Sequence, residues 1–245
     1  DYTWSQNGVT YTEAEKSLMK ILKNIIKWLL LTCVVVATVV MGLWLLNAPD
    51  DLADNSRSKT RLAQADYAIA KMALNIVDTT RQTPALGDFK GDDKRTLNGK
   101  IWYPEGPSSG HPLIVYSHGF GGHHEESTHL IKHLVGNGYI VAAVDFPLSY
   151  LKSPAKIPQL LDVVNQPGDV SAVIDRVLSL NADSSSALYQ RVDTNRIGVT
   201  GLSLGGLTTA LVSFHPNFKD DRIKVAAMLA PPLEVFSDQF YASSP

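Results

Sequence analysis

Cysteine is almost missing. Cys33 is the only one in 245 residues and lies inside an apolar run, so neither a disulfide framework nor a Cys-x-x-Cys metal site can form within the chain. Charge of one sign is lacking as well: a formal net charge of -2 leaves no polyanion-binding footprint and argues against nucleic acid as a partner. An initiating methionine is also absent. The sequence starts at Asp1 and stops at Pro245, soon after an apolar strand-like run, so it is expected to be a piece of a longer chain. Its hydrophobic share of 44% suits one medium globular domain with additions.

The longest apolar run is "WLLLTCVVVATVVMGLWLL", residues 28–46, which carries no charged residue. At about 1.5 Å per residue such a run just spans a hydrocarbon core of roughly 30 Å, and it reads as a single transmembrane helix. Trp28 and Trp44 stand near its ends, Lys16, Lys20, Lys23 and Lys27 precede it, and Asp50, Asp51 and Asp54 follow. The lysine excess places the N-terminus in the cytoplasm and the rest of the chain on the extracytoplasmic side, periplasmic in a bacterium. A cleaved signal peptide is the rival reading, disfavoured by the length of the run and the want of a small-x-small site before "NAPDD". Cys33 reads as a membrane-embedded thiol rather than a lipidation site, because the apolar run continues past it.

Upstream, Thr12 and Glu15 form the pattern of a capping box, and Leu18, Ile21, Leu22, Ile25 and Ile26 mark one apolar helix face. Residues 1–27 are thus expected to be a cytoplasmic amphipathic segment, and residues 12–46 offer a contact surface for a membrane-protein partner or for headgroups. Within 47–80, Leu62, Ala65, Ile69, Met72 and Ile76 recur at helical spacing and predict an amphipathic linker helix. Residues 81–110 are rich in turn formers around one short strand, "GKIWYP".

From residue 112 short apolar runs alternate with helical ones: "PLIVYSHG", "THLIKHLVGNG", "YIVAAVDF", "GDVSAVIDRVLSL", "RIGVTGLS", "LGGLTTALVSF" and "IKVAAMLAPP". Continuous β-branched runs imply strands buried on both faces, so residues 81–245 predict an α/β domain with a mostly parallel sheet and helices on each side. Functional groups should gather at the carboxyl ends of its strands. One such end is Gly201-Leu202-Ser203-Leu204-Gly205, with the GxSxG spacing on a strand-turn-helix; the glycines leave room for a strained turn that presents Ser203 as a nucleophile. The other is "YSHGFGG", where the amide of Phe120, beside Gly119, can pair with that of Leu204 as an oxyanion hole. His118 reads as a brace for that loop rather than as a base.

These stretches, together with "TRQTPALGDF", "RTLNGKIWYP" and "DVVNQPGDVSAVID", resemble the serine-dependent α/β-hydrolases of the predicted dienelactone hydrolase group, relatives of bacterial polyester hydrolases and secreted platelet-activating factor acetylhydrolases. The resemblance covers residues 79 to about 233 and leaves out the apolar segment. Authentic dienelactone hydrolase has cysteine at the elbow; Ser203 therefore implies carboxylic-ester hydrolysis, with no cofactor, and the membrane tether, by location alone, points to lipid-like or other small esters. The resemblance also implies a chain order of serine, acid, histidine, which places the last two beyond residue 245 and makes the domain C-terminally incomplete. His215 reads as a helix cap, and Glu234 and Asp238 are alternative acids or surface residues. Asp145 is expected to fix the loop that follows it. His123, His124, His129 and His133 include an i, i+4 pair, but the string lacks an HExxH frame and reads as an exposed helix without metal. Phe146, Leu148 and Tyr150 fit an acyl pocket and fit ordinary core contacts equally. Against the hydrolase stands one alternative, a catalytically inactive hydrolase-like subunit of a membrane complex.

Overall fold

A computed structural model describes residues 4–6, 9–47, 53–63 and 65–242, arranged as two compact units, residues 1–59 and 60–245. In the first unit, strands β1 (Trp4–Gln6) and β2 (Val9–Tyr11) pair antiparallel, and helix α1 (Glu13–Leu46) follows. The Thr12 side chain accepts from the Glu15 amide while the Glu15 carboxylate accepts from the Thr12 amide at 2.7 Å, so the capping box forms as the sequence predicts. With 34 residues at about 1.5 Å each, α1 is about 51 Å long. It is long and apolar enough to cross a membrane, a test that a signal sequence also passes. Its two apolar-stretch threonines satisfy their own hydroxyls, Thr32 on Trp28 O at 2.9 Å and Thr38 on Val34 O at 2.8 Å, which is how such residues are tolerated where water is scarce. Asp50 and Asp51 of the predicted acidic flank lie outside the described residues.

The short helix α2 (Arg57–Ala63) runs across the boundary at residues 59 and 60, and the second unit then departs from expectation: residues 69–78 form strand β3 (Ile69–Asp78), not a linker helix. The spacing of Ile69, Met72 and Ile76 satisfies a helical period, yet Met72, Leu74 and Ile76 also alternate, and Leu74 is 1% exposed. The choice is made by ten residues of antiparallel pairing with β4 (Arg95–Pro104), from Ile69 opposite Pro104 to Asp78 opposite Arg95. Pairing of that length outweighs the small difference in local propensity.

The remaining elements are β5 (His111–Ser117), α3 (Thr128–Gly136), β6 (Ile140–Asp145), α4 (Gln166–Ala182), β7 (Val192–Leu202), α5 (Leu204–Phe214), β8 (Ile223–Leu229) and α6 (Asp238–Ala242). The strands make one sheet in the order β3-β4-β6-β5-β7-β8, in which β6, β5, β7 and β8 run parallel and β3 and β4 antiparallel. Side chains alternate between two cores. Leu113, Val115, Ile140 and Ala142 pack with Val173, Ile174 and Val177 of α4, whereas Tyr116, Val141 and Ala143 pack with Ile131 and Val135 of α3. Helices therefore cover both faces, as continuous apolar strands require.

A buried ion cluster fixes the long connection between β6 and α4. Arg95, fully buried at the start of β4, donates to both oxygens of Asp169 at 2.6 Å and to both oxygens of Asp162 at 3.0 and 3.1 Å. Asp162 also accepts from the Leu148 amide at 3.3 Å and from Asn165 at 3.0 Å, and Asp169 meets Arg81 at 3.0 Å. Burial pushes the Asp169 carboxyl above its ordinary value, and the Arg95 charge opposes that rise.

Candidate active site

Strands β5 and β7 are neighbours in register, with Ser117 opposite Gly201, so the turns that leave their carboxyl ends lie side by side. The turn after β7 carries Ser203, an exposed residue at φ 53° and ψ -116° that precedes the first turn of α5. Positive φ in a non-glycine residue is strained by about 1–3 kcal/mol and persists only where the surroundings enforce it. Here they do: the Ser203 amide donates to Leu229 O at 2.8 Å, and the chain packs so tightly that neither flanking glycine can carry a side chain. A Cβ on Gly205 would lie 2.6 Å from His118 O, and one on Gly201 would lie 2.8 Å from Ser117 O. This is why the sequence places glycine at those two positions.

The loop after β5 runs against this elbow. A Cβ on Gly119 would sit 3.4 Å from Leu202 O and 3.7 Å from the Ser203 Cβ. Phe120 is 49% exposed, and among the described residues neither its amide nor that of Leu204 has a hydrogen-bond acceptor. The other amides of the Phe120 loop are committed: Gly119 to Glu126 Oε1 at 2.7 Å, Gly121 to Ser149 O at 2.8 Å and Gly122 to Gly119 O at 3.0 Å. His118, buried to 1% exposure, accepts the Phe146 amide at Nε2 (3.0 Å), so its Nδ1 carries the proton that it donates to Gly119 O at 2.7 Å. Burial lowers its pKa and keeps the ring neutral. With both nitrogens occupied by main chain, His118 has no free nitrogen with which to accept a proton from Ser203.

Other sequence candidates fall away from Ser203. His215 caps α5, donates from Nε2 to Phe240 O at 2.8 Å and accepts the Asn217 amide at 3.2 Å. Glu234 and Asp238 line a cavity of about 570 Å³ with Ala210, Phe214 and Tyr241, and neither bonds Ser203 or His215 among the described residues. Asp145 holds the loop before α3 rather than the one that follows it: its Oδ1 accepts both the amide and the ring Nδ1–H of His124, each at 2.8 Å. Burial raises that carboxyl, and the His124 bonds overcome the effect and hold it below its ordinary value. His123 accepts the Glu125 amide at 3.2 Å, His129 is exposed, and no group of three ligands is placed for a metal ion among the described residues. Phe146 and Leu148 are 1% and 0% exposed in the interior, so of the two readings the sequence left open they take that of core contacts; of the three only Tyr150 lines open grooves, of about 300 and 360 Å³. Glu126, by contrast, was not singled out by the sequence. Its only signal there is a position four residues beyond the GFGG loop, within a string of charged and histidine residues.

A mostly parallel sheet with helices on both faces and a serine on the sharp turn between β7 and α5 define an α/β-hydrolase. The chain belongs to the PET hydrolase-like family, whose model matches residues 94–237. A segment of 122 residues, 49% of the chain, is 29% identical to Cutinase est2 of Thermobifida alba, and the chain spans only 36% of the length of that relative. Ferulic acid esterase from Streptomyces cinnamoneus has a solved structure similar over 74% of this chain and 64% of that chain, with 24% identity and a TM-score of 0.49.

Proposed function

We propose that the chain is a membrane-tethered serine hydrolase of carboxylic esters, lipid-like or small. The observation that carries this reading is the enforced φ of 53° at Ser203, which holds its side chain out at the N-terminus of α5 beside two uncommitted amides. Ser203 Oγ attacks the ester carbonyl as a histidine takes its proton, and the amides of Phe120 and Leu204 hold the oxyanion of the tetrahedral intermediate. Collapse expels the alcohol, which receives that proton, and water then attacks the acyl-enzyme to release the acid and free Ser203. The N-terminus of α5 favours the developing negative charge. Family membership and the cutinase relative support the ester class. Residues 28–46 act as the tether, with the lysines before them cytoplasmic and the hydrolase domain extracytoplasmic. Residues 12–46 are the surface available to a membrane-protein partner.

One observation favours a second reading, a subunit that binds without turnover: among the described residues no histidine bonds Ser203. Labelling native membranes with a fluorophosphonate separates the two. Modification at Ser203 that disappears in Ser203→Ala supports the hydrolase. A Ser203 that stays unmodified refutes the nucleophile and leaves the binding subunit.

A further inference from the structure

We infer that Glu126 is a positioning residue for the oxyanion loop, acting through the main chain of Gly119 without touching substrate; this rests on the reading of Ser203 and Phe120 given above. Glu126 Oε1 collects two donors, the Gly119 amide at 2.7 Å and the Tyr116 hydroxyl at 2.8 Å, and that hydroxyl is also within 2.6 Å of Ser127 Oγ. The carboxylate lies under the loop. It occupies the space that a Gly122 side chain would need, since a Cβ there would lie 2.8 Å from the Glu126 carboxyl carbon.

The consequence follows from peptide geometry. The Gly119 C=O and the Phe120 N–H belong to one rigid plane and point in opposite directions, so whatever aims the carbonyl aims the amide. That carbonyl is held by His118 Nδ1–H at 2.7 Å and by the Gly122 amide at 3.0 Å. The preceding plane, between His118 and Gly119, is free to swing about a residue with no Cβ unless its own N–H is fixed. Glu126 fixes it. Both planes that meet at the Gly119 Cα are then set, and with them the direction of the Phe120 donor. Tyr116, buried at 1% exposure on β5, in turn fixes the carboxylate relative to the sheet.

The test uses the intact protein and a chromogenic ester. Glu126→Ala should lower kcat by about 10- to 100-fold, short of or equal to the loss of an oxyanion donor, while KM stays within about twofold. Affinity for a trifluoromethyl ketone transition-state analogue should fall by the same factor as kcat/KM, a change that a purely structural role does not produce. Glu126→Gln keeps an oxygen for the two donors and should recover part of the loss. Tyr116→Phe removes one of the two donors and should show the same split, weaker; it decides the matter if Glu126→Ala does not fold. An active wild type with unchanged kcat in Glu126→Ala or, where that variant does not fold, in Tyr116→Phe overturns this inference alone. A wild type that hydrolyses no ester overturns the reading of the site on which it rests.

Discussion

Replacing Arg95 by methionine keeps an unbranched apolar stem and removes the guanidinium that holds Asp162 and Asp169. All three groups are fully buried, and Arg95 makes four hydrogen bonds to the two carboxylates at 2.6, 2.6, 3.0 and 3.1 Å. Among the described residues Asp169 then keeps Arg81 at 3.0 Å, and Asp162 keeps Asn165 and the Leu148 amide. Breaking a buried pair from one side costs about 3–5 kcal/mol, because the carboxylates stay buried while the charge that compensates most of their lost hydration is gone. The loss should depend on pH, with a definite sign. Burial already raises the folded pKa of Asp169, and losing the Arg95 charge that opposes burial raises it further. A carboxylate with a raised folded pKa favours the folded state below its unfolded pKa and loses that contribution as pH rises through the folded value. The deficit of Arg95→Met relative to wild type should therefore be small at and below the ordinary carboxylate range and grow as pH rises through the raised folded value of Asp169. Urea midpoints at several pH values measure it. A deficit that is constant with pH, or absent throughout, refutes the reasoning.

Two further outcomes concern the elbow. Ser203→Gly should raise the urea-unfolding free energy by about 1 kcal/mol, since glycine adopts φ 53° without strain, while abolishing ester hydrolysis; a destabilised glycine variant would contradict the strain. Gly205→Ala should destabilise by more than about 3 kcal/mol or prevent folding, because the new Cβ would meet the Ser117 carbonyl carbon at 2.5 Å and backbone cannot move aside cheaply. Circular dichroism melting of the purified variant checks it, and a wild-type Tm would count against the packing argument.

The parallel strands and the elbow were legible because their signals are local: runs such as "YIVAAVDF" and "RIGVTGLS" have one periodicity, and a serine between glycines at a strand end has few other uses. Strand β3 was not, because the alternation of Met72, Leu74 and Ile76 coincides with a helical spacing and the deciding partner, β4, begins 17 residues after β3 ends. Phe146 and Leu148 follow Asp145 at the carboxyl end of β6, a position that fits a pocket and a core equally, and the turn that buries them depends on Asp162, which accepts the Leu148 amide. Glu126 is illegible in the sequence for a similar reason. Its role depends on which oxygen meets which amide, and the charged string around it gives no such information.

The two residues that lend their amides to the proposed oxyanion hole are embedded in opposite ways. The Leu204 side chain is 2% exposed and packs with Leu207, Leu211 and Val163, whereas the Phe120 ring is 49% exposed. Since both donors are main-chain groups, side-chain identity at 120 is decoupled from charge stabilisation, but at 204 it is tied to folding. Position 120 can therefore vary without altering the donor pair, while position 204 tolerates little change. Variation across the mouth of the site should be lopsided, concentrated on the β5 side of Ser203.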